Sequence, residues 1–273
     1  MLKTRVITAL VLIAILVAIL SANSFYAVVL AAGVFFAAAM WESFRLFKVR
    51  FPLLGAATWA AAFAFLALRA VQTDIVLLCG ICTAIWAFRL TPSLAMGLPQ
   101  FEGVGNRLFN GIYGIAILGC FVAILALYKH SGLYLFSVMA IVWVADIGAY
   151  FSGKAFGKHK LAPSISPGKS WEGAIGGWFA VLMLAASSLA LPLGLNDTFP
   201  VRLYARFGLL GFVVALSMIV AASIVGDLVE SQLKRRAGMK DSSSLLPGHG
   251  GVLDRIDALI PTLPLAVLLD FWM

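Results

Sequence analysis

Apolar stretches long enough to cross a lipid bilayer recur along almost the whole of this 273-residue chain, and they restrict its fold more than any other feature. Hydrophobic residues make up 62% of the sequence and the mean hydropathy is +1.02, which leaves too few polar side chains to cover a soluble domain. In hydrocarbon, a helix satisfies its backbone polar groups internally. We therefore predict an all-α polytopic integral membrane protein.

The apolar runs between breaks of Pro, Gly and charge predict about nine transmembrane helices. Their ranges are 6–20, 25–41, 53–71, 74–90, 111–128, 133–152, 172–192, 207–229 and 257–272. The polar break at 71–74, between the third and fourth apolar runs, is short, so eight or ten helices are also compatible with the sequence. Lys3 and Arg5 precede the first run as in a signal peptide, but further membrane-length segments follow at once, which favours a retained first span.

The distribution of Lys and Arg gives a separate test of the helix count. If nine helices alternate in direction, sixteen of the 20 basic residues fall on one side of the membrane, and the other side receives Arg69, Lys129, Arg202 and Arg206. The positive-inside rule assigns the first side to the cytoplasm. Topology thus explains the net charge of +8, and a nucleic-acid partner is not expected, because the basic residues are spread over short loops.

A polar stretch from Ser231 to Asp257 concentrates charge, because it holds eight of the 32 acidic and basic residues. Basic side chains suit phosphate oxygens, a Gly-rich turn lets backbone N–H groups approach an anion, and spaced aspartates suit a hard cation. The candidate phosphate-binding groups are Lys234, Arg235, Lys240 and Arg255, beside the turn of His249, Gly250 and Gly251. The candidate metal ligands are Asp227, Asp254 and Asp257, with Asp241 as a further carboxylate. The stretch predicts a metal–phosphate site at a membrane surface.

Helical spacing groups several of these residues. Asp227, Ser231 and Lys234 stand at i, i+4 and i+7, which puts a carboxylate, a hydroxyl and an ammonium on one helix face. Asp254 and Asp257, at i and i+3, share a face of the following helix. We expect the eighth and ninth helices to hold one cation between them. The alternative for Asp227 is an interhelical hydrogen bond or a neighbouring Lys, since an unpaired Asp at mid-membrane costs about 2.5–3.5 kcal/mol.

A second polar segment follows the sixth predicted helix, between Asp146 and Gly173. Its candidate substrate-binding residues are Asp146, Lys169, Ser170 and Glu172. The run from Gly168 to Ser170 is not a P-loop, because Pro163 stands where the first glycine is required and no strand is predicted before it. The basic residues here are also compatible with a cytoplasmic loop that follows the charge rule or touches anionic lipid.

Both segments resemble the signature of the phosphatidate cytidylyltransferase family. The matching residues are Asp146-Ile-Gly-Ala-Tyr-Phe-Ser-Gly153, Ile165-Ser-Pro-Gly-Lys-Ser-Trp-Glu-Gly173, Gly226-Asp-Leu228, Ser231, Lys234-Arg235, Lys240-Asp241, His249-Gly-Gly251 and Asp254-Arg-Ile-Asp257. The resemblance covers most of residues 146–257, whereas the N-terminal half matches only in hydropathy.

The resemblance implies an enzyme, a nucleotidyltransferase that makes CDP-diacylglycerol and pyrophosphate from CTP and phosphatidic acid. It implies Mg²⁺ as cofactor, leaves a second cation such as K⁺ open, and is compatible with a homodimer. Catalytic roles then fall to Asp227, Ser231, Lys234, Arg235, Lys240, Asp241, Asp254, Arg255 and Asp257. Substrate contacts fall to Asp146, Lys169, Ser170, Glu172, His249, Gly250 and Gly251. The chain length, with no long hydrophilic extension, is typical of bacteria, so we expect the inner membrane and a site that faces the cytoplasm.

Two other functions are compatible with these residues. A CTP-dependent kinase of polyprenols or other lipid alcohols would release CDP in place of pyrophosphate. A membrane transporter would also use intramembrane aspartates and basic loops. The polar residues gather at one face and do not line the midplane of several helices, which argues against the transporter.

We expect one membrane domain over residues 1–273, in which 1–110 supplies scaffold helices. The catalytic helices are expected in 111–273, with cytoplasmic loops at 153–171 and 230–256. The lone acids Glu42, Glu102 and Asp197 are expected to be solvated loop charges. Cys79 and Cys82 form a C-x-x-C pair without a second pair or nearby His, which predicts helix packing and not a zinc site.

Overall fold

A computed structural model of the chain describes residues 2–22, 24–69, 71–190 and 195–273. Its first half contains α1 (Leu2–Ser21), α2 (Phe25–Leu46), α3 (Pro52–Arg69), α4 (Gln72–Ile85), a π-helical turn (Trp86–Leu90), α5 (Thr91–Met96) and α6 (Val104–His130). Its second half contains α7 (Gly132–Phe156), β1 (Lys160–Ala162), β2 (Ser166–Ser170), α8 (Trp171–Ala190), α9 (Phe199–Ala237), α10 (Leu253–Ile256) and α11 (Leu259–Phe271). The predicted all-α membrane class is confirmed.

The predicted spans coincide with these helices to within a few residues at most ends. Seven helical segments of the described chain are long and apolar enough to cross a membrane. Two further apolar helices lie at the ends of the chain: α1, whose side chains are described over Ile7–Ile19, and α11, which has 13 residues (Leu259–Phe271). The count of nine therefore stays a prediction. The predicted positions 70 and 191–192, like the side chains of Lys3 and Arg5, lie outside the described residues.

Contacts between helix ends form two separate sets, as expected for helices that alternate in direction. At one end of the molecule, Arg236 near the end of α9 donates from Nη1 to Asn106 Oδ1, at the start of α6, over 3.0 Å. At the other end, His130 Nε2 at the end of α6 lies 2.9 Å from Asp197 Oδ1, just before α9. The helices α6 and α9 therefore run antiparallel, as the charge partition requires.

The core of the N-terminal half is aromatic and tightly packed. Phe36 on α2 stacks on Phe63 of α3 with ring centroids 5.0 Å apart, and its ring meets the edge of Phe121 on α6 at 5.4 Å. The thiols of Cys79 and Cys82 are free and buried in this apolar surrounding. Burial of both thiols agrees with the prediction that the C-x-x-C pair serves helix packing.

Small residues bring α7 and α8 into close contact. A Cβ added to Gly148 would lie 2.7 Å from the Cβ of Ala180, and one added to Gly177 would collide with the carbonyl of Ala145. Helices in lipid often associate through faces of small residues. The hydrophobic effect does not drive their association there, so close van der Waals packing does. This contact fixes the polar end of α7 against the start of α8.

The segment predicted as a loop at 153–171 is more ordered than expected. The helix α7 continues to Phe156, and β1 pairs with β2 in an antiparallel hairpin. Ser170 Oγ then accepts a hydrogen bond of 3.2 Å from the N–H of Gly173, which satisfies one free donor at the start of α8. Strands of three and five residues are too short to leave a periodic signal in the sequence.

The helix α9 is interrupted at Gly208, whose φ of 65° and ψ of −171° are not helical. Glycine adopts this conformation readily because it has no Cβ. Beyond the break, the helix continues to Ala237, and Gly238 ends it in the left-handed conformation with φ 74°. This second part of α9 contains Asp227, Ser231 and Lys234.

Candidate active site

A polar cavity of about 600 Å³ lies between α7, α9, the hairpin and the segment that follows α9. The carboxylates that line it are Asp146, Asp227, Asp241, Asp254 and Asp257. The cationic side chains that line it are Lys154, Lys169, Lys234 and Arg255, and Ser170 lines it as well. The two polar segments of the sequence, although far apart in the chain, therefore contribute to one site.

Asp227 is held from two sides. Lys169 Nζ, on the hairpin, lies 2.5 Å from Asp227 Oδ2, and Ser231 donates from its hydroxyl to Asp227 Oδ1 over 3.1 Å. The i, i+4 spacing of Asp227 and Ser231 thus produces the predicted shared face, and Lys234 lines the same cavity. Lys169 brings the second polar segment to this face and neutralises its carboxylate.

Lys234 lies between two carboxylates. It forms an ion pair with Glu230, one helical turn earlier, and its Nζ lies 2.6 Å from Asp254 Oδ1. The Glu230 side chain is fully buried. Removal of one partner from a buried ion pair leaves an uncompensated charge, which is strongly destabilising. Glu230 was not among the predicted site residues, although an acid four positions before a Lys on a helix is a spacing that produces such pairs.

Both oxygens of Asp254 are engaged by donors. Oδ1 accepts from Lys234, and Oδ2 accepts from the Ser242 N–H at 2.8 Å, the Ser242 hydroxyl at 2.9 Å and the Gly251 N–H at 2.7 Å. Burial opposes ionisation, but these hydrogen bonds, that from Lys234 first, outweigh it and hold the pKa of Asp254 below its usual value. Asp254 therefore stays anionic, and its hydrogen bonds to Ser242 and Gly251 hold the segment after α9 in place. The Gly251 N–H, predicted to approach an anion, is occupied by this carboxylate.

Arg255 and Asp257 follow on the same short turn. Arg255 Nε donates to the His249 carbonyl over 3.1 Å, and Asp257 Oδ1 accepts from the N–H of Ala258 at 2.8 Å. We expected Asp254 and Asp257 at the start of the ninth span, but Asp254 lies on the separate four-residue helix α10 and Asp257 lies between α10 and α11. Both nevertheless face the cavity that Asp227 lines.

Glu172 closes the hairpin and does not line the cavity. Its carboxylate accepts from the N–H groups of Lys158 and His159 at 3.2 Å, and the His159 ring Nδ1 lies 2.6 Å from Oε1. These contacts tie the end of β2 to the segment before β1, where the hairpin begins. A direct contact between Glu172 and substrate stays a prediction.

Four other candidates surround the cavity without lining it. Arg235 and Lys240 are exposed near the end of α9. His249 and Gly250 belong to a tight turn in which the Leu246 N–H donates to the Gly250 carbonyl over 2.8 Å, with φ of 79° at Gly250. Their contacts with phosphate stay predictions.

Glu42 is a residue of the site that the sequence did not reveal. The prediction that it is a solvated loop charge is wrong, since it is fully buried near the end of α2. Oε1 accepts from the Ser243 hydroxyl at 2.5 Å and the Val252 N–H at 3.0 Å. Oε2 accepts from the Leu253 N–H at 2.7 Å, and the Ser242 hydroxyl, which also reaches Asp254, lies 3.2 Å from it. The signal in the sequence is weak: a single acid near the end of an apolar helix, with partners some 200 positions away.

The carboxylates of the cavity suit a hard cation in their chemistry. Among the described residues, no three His, Cys, Asp or Glu side chains are arranged to hold a metal ion together. Mg²⁺ in nucleotide-binding sites needs only one or two carboxylates, because water and phosphate oxygens occupy its other positions. Within the described part of the chain, Asp257 has a donor at only one oxygen and fits Mg²⁺ as it stands. Asp227 fits Mg²⁺ if Lys169 gives up its place, and Asp254 could join them only by exchanging one of its donors. The assignment of all three as metal ligands stays a prediction.

An apolar groove of about 440 Å³ adjoins the polar cavity. It runs between α1, α2, α6 and α7, and its lining includes Leu12, Ala31, Phe121, Met139 and Trp143. The residues that line both groove and cavity are Asp146, Asp254, Arg255 and Asp257. A charged chamber thus opens directly into an apolar one.

Comparison with known proteins gives matches along the whole chain. A sequence model of the Cytidylyltransferase family matches residues 3–272. A phosphatidate cytidylyltransferase of Haemophilus influenzae is 39% identical over 286 residues, which cover 97% of this chain and 96% of the relative. Another, of Pseudomonas aeruginosa, is 41% identical over 271 residues, with coverage of 97% and 95%. A third, of Brucella suis, is 46% identical over 134 residues, which cover 48% and 44%.

Proposed function

Because the chain belongs to the cytidylyltransferase family, we propose that it transfers CMP from CTP to phosphatidic acid and produces CDP-diacylglycerol and pyrophosphate. The observation that carries the proposal is the junction of polar cavity and apolar groove at Asp146, Asp254, Arg255 and Asp257. CTP is a soluble polyanion, whereas phosphatidic acid joins an anionic headgroup to two acyl chains. A site with one charged and one apolar chamber suits this pair of substrates.

In the proposed complex, the lipid headgroup lies at the junction and its acyl chains follow the groove between α1 and α7. Arg255 is the cation that lines both chambers, so it is the natural partner of the lipid phosphate. A groove of about 440 Å³ is within the usual range of ligand sites. The triphosphate of CTP occupies the polar cavity near Lys169 and Lys234.

The proposed step is an in-line displacement. A phosphate oxygen of phosphatidic acid forms a bond to the α-phosphorus of CTP, and the bond from that phosphorus to the oxygen of the leaving pyrophosphate breaks. A phosphate monoester is anionic near neutral pH, so its oxygen needs little help from a general base. The main obstacle is repulsion between polyanions, and Lys169, Lys234 and Arg255 would lower it by binding phosphate oxygens.

Asp227 and Asp257 would hold Mg²⁺, with Asp254 as a third ligand after it exchanges a donor. When bound, Mg²⁺ would screen the triphosphate and the departing pyrophosphate. Lys169, which neutralises Asp227 in the described state, would then be free to bind a phosphate oxygen. Lys234 would keep Asp254 in place through the ion pair between them.

The protein is a multi-pass membrane protein, and we propose that it lies in a bacterial inner membrane with the cavity facing the cytoplasm. The support is electrostatic and chemical. If nine helices alternate in direction, the cavity lies on the side that receives sixteen of the 20 basic residues, as the positive-inside rule requires. CTP is also available in the cytoplasm.

A product assay tests the proposed reaction. The purified chain in detergent is incubated with CTP labelled at the α-phosphorus, phosphatidic acid and Mg²⁺. We expect the label in the lipid fraction, with one pyrophosphate released for each lipid labelled. Release of CDP with transfer of the γ-phosphate would contradict the proposal and identify a lipid kinase. CTP-independent solute uptake by proteoliposomes, without lipid labelling, would identify a transporter.

A further inference from the structure

Glu42 belongs to the N-terminal half, yet the described hydrogen-bond partners of its side chain all lie in the segment between α9 and α11. All four donors are neutral: two backbone N–H groups, of Val252 and Leu253, and two hydroxyls, of Ser242 and Ser243. Among the described residues, it forms no ion pair. The two N–H groups and the Ser243 hydroxyl serve both oxygens of the carboxylate, and the Ser242 hydroxyl lies within reach of Oε2.

The partners of Glu42 are adjacent to the charged residues of the cavity. Val252 and Leu253 immediately precede Asp254, and the Ser242 hydroxyl lies 3.2 Å from Glu42 Oε2 and 2.9 Å from Asp254 Oδ2. Because a hydroxyl has a single proton, Ser242 can donate to only one of these carboxylates at a time. A continuous set of polar contacts thus leads from Glu42 through Ser242 and Asp254 to Lys234.

Gly251 packs so closely against Glu42 that a side chain at position 251 would not fit. A Cβ added to Gly251 would collide with Glu42 Oε1 and with the Ser242 hydroxyl, so the glycine is required for this close approach. A buried carboxylate without these donors would be strongly destabilised, because burial removes its hydration. These contacts hold the loop against the end of α2.

We infer that Glu42 is a positioning residue for the proposed transfer reaction: it fixes the backbone at 252–253 and so sets the positions of Asp254 and Arg255. It touches neither substrate nor cofactor and acts through the loop. This inference rests on the proposed function for its kinetic consequence, but its structural consequence can be measured without any substrate.

Glu42→Gln tests the inference, with Glu102→Gln as the matched control, because Glu102 is an exposed acid of another loop at the same end of the molecule. The first readout is amide hydrogen exchange of the full chain in detergent, without Mg²⁺ or nucleotide. Loss of the acceptor Oε2 or Oε1 should accelerate exchange of the amides at 252–253 about tenfold, because each lost hydrogen bond lowers the local opening cost. Exchange in α6 and α7 should remain as in the unchanged protein, and Glu102→Gln should have no effect.

The second readout is kinetic. With Glu42→Gln, kcat should fall about 10- to 100-fold, and the Mg²⁺ concentration for half-maximal rate should rise. Residues that orient metal ligands by hydrogen bonding have effects of this size. The KM for phosphatidic acid should rise as well, because Arg255, the proposed partner of the lipid phosphate, is no longer held in position. Unchanged exchange at 252–253 would overturn the inference, and so would equal acceleration throughout the chain, which indicates general destabilisation. If Glu42→Gln does not fold, Ser243→Ala removes one donor to the same carboxylate, and exchange at 252–253 must then accelerate while exchange in α6 and α7 does not. A native chain without transferase activity would refute the proposed function but leave the exchange result to decide this inference.

Discussion

Lys169 Nζ lies 2.5 Å from Asp227 Oδ2, and this contact joins the two polar segments of the chain. Lys169 is on the last strand of the hairpin, whereas Asp227 is on the membrane helix α9. Both side chains are partly exposed to the cavity, at 25% and 30%. The ammonium occupies the carboxylate that is proposed to hold a divalent cation, so the two cations compete for one ligand.

The competition predicts opposite effects of Lys169→Met on two quantities. The Mg²⁺ concentration for half-maximal rate should fall, because the ammonium no longer competes for Asp227. At saturating Mg²⁺, kcat should fall about 10²-fold, because a cation that stabilises the phosphate charge is lost. Initial rates over a Mg²⁺ titration measure both. An increase in the required Mg²⁺ would show that Lys169 supports the metal site and does not compete with it.

Asp254→Asn should abolish cytidylyl transfer, with a loss of at least about 100-fold. The amide has one acceptor oxygen where the carboxylate has two, and Asp254 now serves Lys234, Ser242 and Gly251 together. Size-exclusion chromatography and circular dichroism in detergent should show that the variant remains folded.

Lys129→Ala is the control for that experiment. Lys129 lies at the opposite end of the molecule, where its Nζ is 5.4 Å from the centre of the Phe25 ring. This variant should keep nearly full activity. Full activity of Asp254→Asn would remove Asp254 from the proposed metal and substrate machinery.

The groove predicts a selective effect of added bulk. Ala31→Phe on α2 should raise the KM for phosphatidic acid with long acyl chains, because the ring occupies space that the chains need. The KM for a short-chain, water-soluble phosphatidic acid and that for CTP should change little. Ala57→Phe, on an exposed face of α3, is the matched control and should affect neither lipid. An equal rise for both lipids would indicate that the groove does not hold the acyl chains.

The close contact between α7 and α8 predicts that a Gly→Ala substitution destabilises the protein there, but not at an open position such as Gly80 on α4. Gly148→Ala should lower the free energy of unfolding by about 1–3 kcal/mol, because the new methyl group meets Ala180 and Gly177. Gly80→Ala has open space around it and should be neutral or stabilising, since Ala favours helix over Gly by about 1 kcal/mol. Thermal unfolding in detergent measures both. Equal behaviour of the two variants would show that α7 and α8 are not closely packed.

Local patterns were sufficient for much of the fold and for part of the site. Apolar length located the membrane helices, because a bilayer imposes one length on every span. The i, i+4 spacing predicted that Asp227 and Ser231 share a face, and their hydrogen bond agrees. Glycine and proline positions did not predict the hairpin, whose strands are short, or the π-helical turn at Trp86–Leu90, which has no distinctive composition.

The contacts that the sequence did not predict join residues that are far apart in the chain. Glu42 stands beside Ser43 and three positions before Arg45, as an exposed acid at a helix end would, whereas its partners are about 200 positions later in the chain. Likewise, the engagement of both Asp254 oxygens depends on how the loop folds back, which residue spacing does not specify. The division into a scaffold half and a catalytic half is therefore less sharp in space than along the chain.

The interruption at Gly208 sets how far the basic end of α9 reaches. From 209 to 237 the helix is about 43 Å long at 1.5 Å per residue, whereas the hydrocarbon of a bilayer is about 30 Å thick. If the break lies at the outer boundary of the hydrocarbon, the last two turns of α9 protrude at headgroup depth on the other side. Lys234 and its neighbours would then meet water and lipid phosphates at one level, just before Gly238 ends the helix.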